Sequence, residues 1–169
     1  MTETDLRRVF EDHKDAVYDF ALRMTGSEAA AEDMAQDCFL ELLRHPGRFD
    51  EARGSLRTYL FGVTRHLVYR HWRAEQRHVP TDEFADDLHS YSPDLAASSI
   101  STIIREAVQS LPAFQRESVL LFEYEGFTLE EIAAITKVEV GTVKSRLHRA
   151  RERLRQVLAP LGDRSGVQK

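Results

Sequence analysis

The residues of this chain that are best suited to chemistry are cations and rings set at helical spacing. Residues 140–169 carry eight Lys or Arg against two acids. Read at about 100° per residue, Val143, Leu147, Ala150 and Leu154 fall in one narrow stripe, which marks a core-facing side. Ser145, His148, Arg149 and Glu152 lie opposite, with Lys144 and Arg151 on one flank and Arg146 and Arg153 on the other. A helix that is apolar on one side and basic on the other suits a duplex groove, where Lys and Arg reach phosphates and guanine edges and Ser or Thr bonds to either. A second basic block, residues 51–79, holds six cations and two acids. Its helical pattern, Ser55 to about Gln76, buries Leu56, Leu60, Val63 and Leu67 and carries Phe61, Arg65, Val68, Tyr69, Trp72 and Arg73 on the other side. Rings stack on unpaired bases, each stack worth about 1–3 kcal/mol, while cations follow the phosphates. An alternative is that Phe61, Val68 and Trp72 pack on a first helix around Val9 to Met24. Packing accounts less readily for Arg65, Arg70, Arg73 and Arg77.

A third stretch has the opposite sign. Residues 1–50 hold 6 cations and 12 acids. Within them 31–43 is an amphipathic helix, with Ala31, Met34, Ala35, Cys38 and Leu42 on one face and Asp33, Gln36, Asp37 and Leu40 on the other. A leucine exposed among acids marks a docking face, against the simpler alternative of a solvated surface. Cys38 lies on the apolar side and reads as an inert core residue.

The elements that position these faces are helical nearly throughout, since no segment shows a sustained period-two alternation. With 169 residues, 42% of them hydrophobic, the chain can build a core. One cysteine rules out an internal disulfide framework or a multi-cysteine zinc site. No apolar run is long enough to span a membrane, and the acidic N-terminus lacks a secretory layout, so a cytoplasmic location is expected. No nucleophile–base set, glycine-rich phosphate loop or metal cluster is visible, so neither catalytic residues nor a cofactor are expected, and the chain is not expected to be an enzyme. Residues 80–100 hold two prolines, five acids and no Lys or Arg, which suits a flexible acidic linker. The expected architecture is all-α: a helical domain over 1–79, the linker over 80–100, and a second helical domain over 101–169 ending in a short tail.

The second domain has its own punctuation. Ser110-Leu111-Pro112 starts a helix that ends near Gly126. Thr128-Leu129-Glu130-Glu131 is a capping box that opens a short helix; a turn follows at about Lys137–Glu139, and a long helix begins near Val140–Thr142. Short helix, tight turn and second helix make a helix-turn-helix.

On these residues the chain resembles a family. GFTLEEIAAITKVEVGTVKSRLHRARERLR (126–155) looks like the minus-thirty-five recognition region of bacterial sigma factors, the extracytoplasmic-function group in particular. AEDMAQDCFLELLR (31–44) resembles that group's polymerase-binding helix, and RFDEARGSLRTYLFGVTRHLVYRHWR (48–73) its minus-ten and promoter-melting segment. The matches stand in family order over most of residues 10–158. The chain departs from the family's usual minus-ten helix by placing Tyr59 at its Trp position, His66 at its Asn position and Tyr69 at its Asp position.

The resemblance implies core RNA polymerase as a partner, bound through Asp33, Gln36, Asp37 and Leu40. It implies promoter DNA as a second partner, both as duplex and as melted strand. Thr142, Lys144, Ser145, Arg146, His148 and Arg149 would read the minus-thirty-five duplex. Phe61, Arg65, His66, Tyr69, Trp72 and Arg73 would engage and melt the minus-ten element. It further implies control by an anti-sigma factor on a separate chain. A self-sufficient helix-turn-helix repressor remains the competing reading of the C-terminal half; the 31–43 and 48–77 segments speak against it, because a repressor has no reason to carry them.

Overall fold

A computed structural model describes residues 2–77, 79 and 91–166, with side chains described up to residue 162. Among the described residues the regular elements are helical. The main helices are α1 (Glu3–Thr25), α2 (Glu28–Arg44), α3 (Leu56–Ala74), α4 (Ile100–Gln109), α5 (Ala113–Val119), α6 (Leu129–Thr136) and α7 (Val140–Gly166). The expected linker lies outside the described residues over 80–90. Its remaining part is tied down: the Tyr91 hydroxyl donates to Glu106 at 2.8 Å, and the Asp94 carboxylate accepts from the backbone N–H groups of Ala96 and Ala97. Ser99, inside the expected linker, caps α4, which begins one residue before the expected start of the second domain.

Side-chain caps set most of the starts. Thr2 and Asp5 form a capping box at α1, Ser27 caps α2 and Ser55 caps α3. Thr128 and Glu131 form the expected capping box at α6. Gly26 ends α1 in the left-handed conformation at φ 70°, where a side chain is disfavoured. Lys137 does the same work at the end of α6 at φ 58° although it is not glycine. After Val119 the backbone widens into a π-helical stretch, Leu120–Tyr124, that closes on Gly126.

In the first half α1, α2 and α3 pack on one another around Phe20, Met24, Met34, Leu42, Leu60 and Phe61. Cys38 sits among them, its thiol against the Leu60 carbonyl and the Thr64 hydroxyl at 3.4 Å each. Burial pushes its pKa from the ordinary thiol value up to about 11, against a smaller lowering by the Thr64 hydrogen bond. In the second half α5, α6 and α7 enclose Leu120, Leu121, Ile132, Val143, Leu147 and Ala150. The two halves touch: α3 packs on α6, and α1 on both α4 and α5.

Two consequences are measurable. Native Cys38 should resist iodoacetamide at pH 8 and react on unfolding in denaturant; modification at equal rates in both states would contradict its burial. Lys137→Gly should stabilise the fold by roughly 0.5–1 kcal/mol in urea melts, since relief of the left-handed strain exceeds the added chain entropy.

Candidate nucleic-acid interface

The recognition helix expected in α7 divides as its angles require, with one exception. Val143, Leu147 and Ala150 are buried against α5 and α6, while Lys144, Ser145, His148 and Arg149 are exposed and Thr142 is half-buried. Arg146 is the exception. Its side chain is 4% exposed and turned inward, its guanidinium 3.4 Å from Glu117 and stacked at 4.3 Å on Phe114. In this arrangement Arg146 is a structural counter-charge and is not presented to DNA.

Glu117, on α5, is fully buried and serves more than Arg146. Arg65 of α3 grips it with two hydrogen bonds, Nε to Oε2 at 2.8 Å and Nη2 to Oε1 at 3.1 Å, and the Tyr69 hydroxyl donates to Oε2 at 3.0 Å. Burial works against the charge on Arg65, but the Glu117 carboxylate outweighs it and the pKa is raised. Burial, reinforced by Glu117, pushes the Tyr69 phenol well above its ordinary value.

The expected minus-ten side of α3 therefore splits in two. Phe61 is fully buried between Phe20 of α1, at 5.3 Å, and Phe127 of the second half, at 5.0 Å. Tyr69 and Trp72 are buried edge to face at 5.2 Å. Phe61, Val68 and Trp72 are thus buried, as the packing alternative had it, with Phe61 against Phe20 of the first helix but also against Phe127; Tyr69, which that alternative left out, is buried against Glu117 and Phe114 of the C-terminal half. Arg65 is partly covered by its pair with Glu117, whereas His66 and Arg73 are exposed.

The exposed side borders a groove of about 750 Å³ whose lining includes Arg44, Arg48, Phe49, Tyr59, His66 and Arg70. Phe49 and Tyr59 lie in contact with each other on its wall, their ring centroids 5.6 Å apart. Lys137 reaches its rim from the helix-turn-helix turn. The first-half residues come from the end of α2, the following loop and α3, so cations, two rings and the carboxylates of Asp37, Glu41 and Asp50 surround a space open to solvent, with Arg48 paired to Glu41. Arg48 and Phe49 fall within the 48–73 segment expected at the minus-ten element, whereas Arg44 and Lys137 were not expected there; only the bend between α2 and α3 gathers Arg44, Arg48 and Phe49 beside His66. Asp33, Gln36, Asp37 and Leu40 stand exposed on α2, with Leu43 and Phe10 exposed as further apolar residues.

Two family descriptions match the chain: sigma-70 region 2 over residues 9–78 and sigma-70 region 4 over 101–154. The chain is 31% identical over 160 residues to the ECF RNA polymerase sigma factor SigL of Mycobacterium tuberculosis, covering 93% of this chain and 90% of that protein.

The chain belongs to the extracytoplasmic-function group of sigma factors.

It is also 34% identical to the ECF sigma factor SigE of Mycolicibacterium smegmatis, over 87% of this chain but only 59% of that longer protein. Among solved structures it resembles the sigma factor RpoE of Bartonella quintana, crystallised with the anti-sigma factor NepR. That likeness has a TM-score of 0.73 and 27% identity, and covers 92% of this chain and 97% of that one. In this family's terms, α1–α3 fall in region 2, and α4–α6 with the first part of α7 fall in region 4.

Arg146→Ala should cost this sigma factor on the order of 3 kcal/mol of folding stability in urea melts, because it removes a partner from a buried carboxylate. Arg149→Ala, at an exposed position, should cost under about 0.5 kcal/mol in the same melts. Equal losses would place Arg146 outside the core.

Proposed function

We propose that this sigma factor binds core RNA polymerase through the α2 ridge of Asp33, Gln36, Asp37 and Leu40, and directs initiation at promoters that it reads at two sites. The observation that carries the reading is the pairing, in one chain, of an exposed acid-and-leucine ridge with a helix-turn-helix whose outward face is basic. A ridge of that kind has no use in a repressor that acts alone. Catalysis belongs to the polymerase, so the chain is not an enzyme, and its place of work is the cytoplasm. Among the described residues no helix is long and apolar enough to cross a membrane.

At the minus-thirty-five element, α7 enters the major groove with Lys144, Ser145, His148 and Arg149 facing the bases and phosphates, and with Thr142 near its start. Arg146 supports this helix from behind. At the minus-ten element the groove between α2 and α3 holds an unpaired base between rings and cations: Phe49 and Tyr59 offer faces for stacking, and His66, Arg70 and Arg73 follow the strand. Strand separation then draws on binding energy, since a base held in the groove is lost to the duplex. Arg65, Phe61, Tyr69 and Trp72 contribute once region 4 has moved off α3. A separate anti-sigma chain holds the protein inactive, a reading supported by the NepR-bound relative of similar fold.

Co-elution of the purified chain with core RNA polymerase on a sizing column tests this reading. Asp37→Arg should abolish the complex, and an unchanged complex would remove the α2 ridge from the interface. In the assembled holoenzyme, Arg149→Ala should weaken promoter binding by roughly 1–3 kcal/mol and relax minus-thirty-five selectivity if the contact is to a base. A loss equal on all sequences would make it a phosphate contact.

A further inference from the structure

A small cavity lies where α3 meets the end of α6, and the charges around it have one sign. Its volume is about 240 Å³; Arg65, His66 and Arg73 of α3 line it from the first half, and Lys137 lines it from the helix-turn-helix turn. Among the described residues no carboxylate lines it. Glu117 stands behind Arg65, but its oxygens already accept from Arg65, Tyr69 and Arg146. Arg73 and Lys137 are left as cations without a counter-charge: among the described residues the side chains of His66, Arg73 and Lys137 have no hydrogen-bond or ion-pair partner. The neighbouring groove of about 750 Å³ differs, since Asp37, Glu41 and Asp50 line it beside its arginines. A concave space lined by one sign of charge focuses the field and draws in a counter-ion. Phe114 and Ile135 add apolar wall to the small cavity, which strengthens that attraction.

We propose that this cavity binds a small anion of two linked phosphates, held by Arg73 and His66 of α3 and by Lys137 of the second half. The volume limits the occupant, because it falls below the roughly 300–1,000 Å³ of pockets that hold drug-sized ligands. The cations set its charge. The Arg73 guanidinium can fork onto two oxygens of one phosphate, and the Lys137 ammonium meets the other as a point charge. His66 adds a ring N–H donor. The place of Lys137 is fixed by the backbone: it holds the left-handed conformation at φ 58°, ψ 43°, with its N–H bonded to the Ala133 carbonyl. A residue with a side chain is strained there, and the strained turn is what delivers the second half's cation to the cavity. His66 and Arg73 also serve the strand in the proposed function, but the anion site does not depend on that reading, since it needs Lys137 from the other half. Linked phosphates occur free, as the pyrophosphate that nucleotide addition releases, and at the end of a nucleoside triphosphate.

Calorimetric titration of the full-length chain with sodium pyrophosphate, at constant ionic strength and without divalent metal, tests the site. One anion should bind per chain. Sulfate should bind at least about tenfold more weakly, since it offers one charged group to two cations. Lys137→Gly and Arg73→Gln should each weaken pyrophosphate at least about tenfold, the loss expected of one charge-assisted hydrogen bond. Arg7→Gln, which removes an exposed cation of α1 outside the cavity, should leave the affinity unchanged. Thermal melts give a second readout. Pyrophosphate should raise the melting temperature of the wild type and of Arg7→Gln, and should fail to raise that of Lys137→Gly, although that variant starts from a more stable fold. ATP titrated in the same way separates the two sources. Binding as tight as that of pyrophosphate, and weakened in the same two variants, assigns the site to the phosphate tail of a nucleotide; weaker binding assigns it to the free anion. No binding of pyrophosphate, binding matched by sulfate, or binding retained in Lys137→Gly or Arg73→Gln would overturn the site.

Discussion

One carboxylate faces more positive charge than it can neutralise. Glu117 is fully buried and accepts from Arg65, Tyr69 and Arg146, which stand on two helices from opposite halves of the chain. A lone buried carboxylate would carry a large desolvation cost. Its own half supplies Arg146, and the bidentate grip of Arg65 completes the shell. The cation that completes it also belongs to the basic face of α3, so the most demanding electrostatic site in the core lies on the boundary between the two modules. Which charges α7 and α3 turn outward follows from which ones this site retains.

Size pushes in the same direction. Each half is a three- or four-helix unit short of the length at which a single core becomes comfortably stable. The buried apolar residues accordingly form one cluster that runs from Val17 in α1 to Ala150 in α7. Phe61 is its hinge point, in contact with Phe20 on one side and Phe127 on the other. The seam is divided between buried rings and two ion pairs, Arg65 with Glu117 and Arg57 with Glu125.

Much of this was legible in the sequence, and the gaps have physical causes. The all-α class, the capping box at Thr128 and Glu131, the cap at Ser55 and the inward stripe Val143, Leu147, Ala150 are local features, set by a few neighbouring residues, and the structure has them. Arg146 escaped because a helical wheel assigns it to a flank, and only a partner far away in sequence decides whether a flank is wet or dry. Glu117 escaped for the same reason: alone in the sequence it is one acid among many. The rings of α3 carried two readings that composition cannot separate, since a face that stacks on bases and a face that packs on a second domain have the same chemistry. The groove beside His66 was invisible because α2, the loop and α3 meet there only through the bend that Gly54 and the short turns around Phe49 create.

That ambiguity of α3 is itself informative. A surface of arginine and aromatic rings binds a melted strand because its rings are apolar and its cations mobile, and those two properties also let it bind a protein surface that offers a ring and an acid. Region 4 offers Phe127 and Phe114 as the rings and Glu117 and Glu125 as the acids, placed to meet the ridge from Arg57 to Tyr69. The same arginines and rings that make α3 a candidate for nucleic acid are here engaged by the carboxylates and rings of the other half.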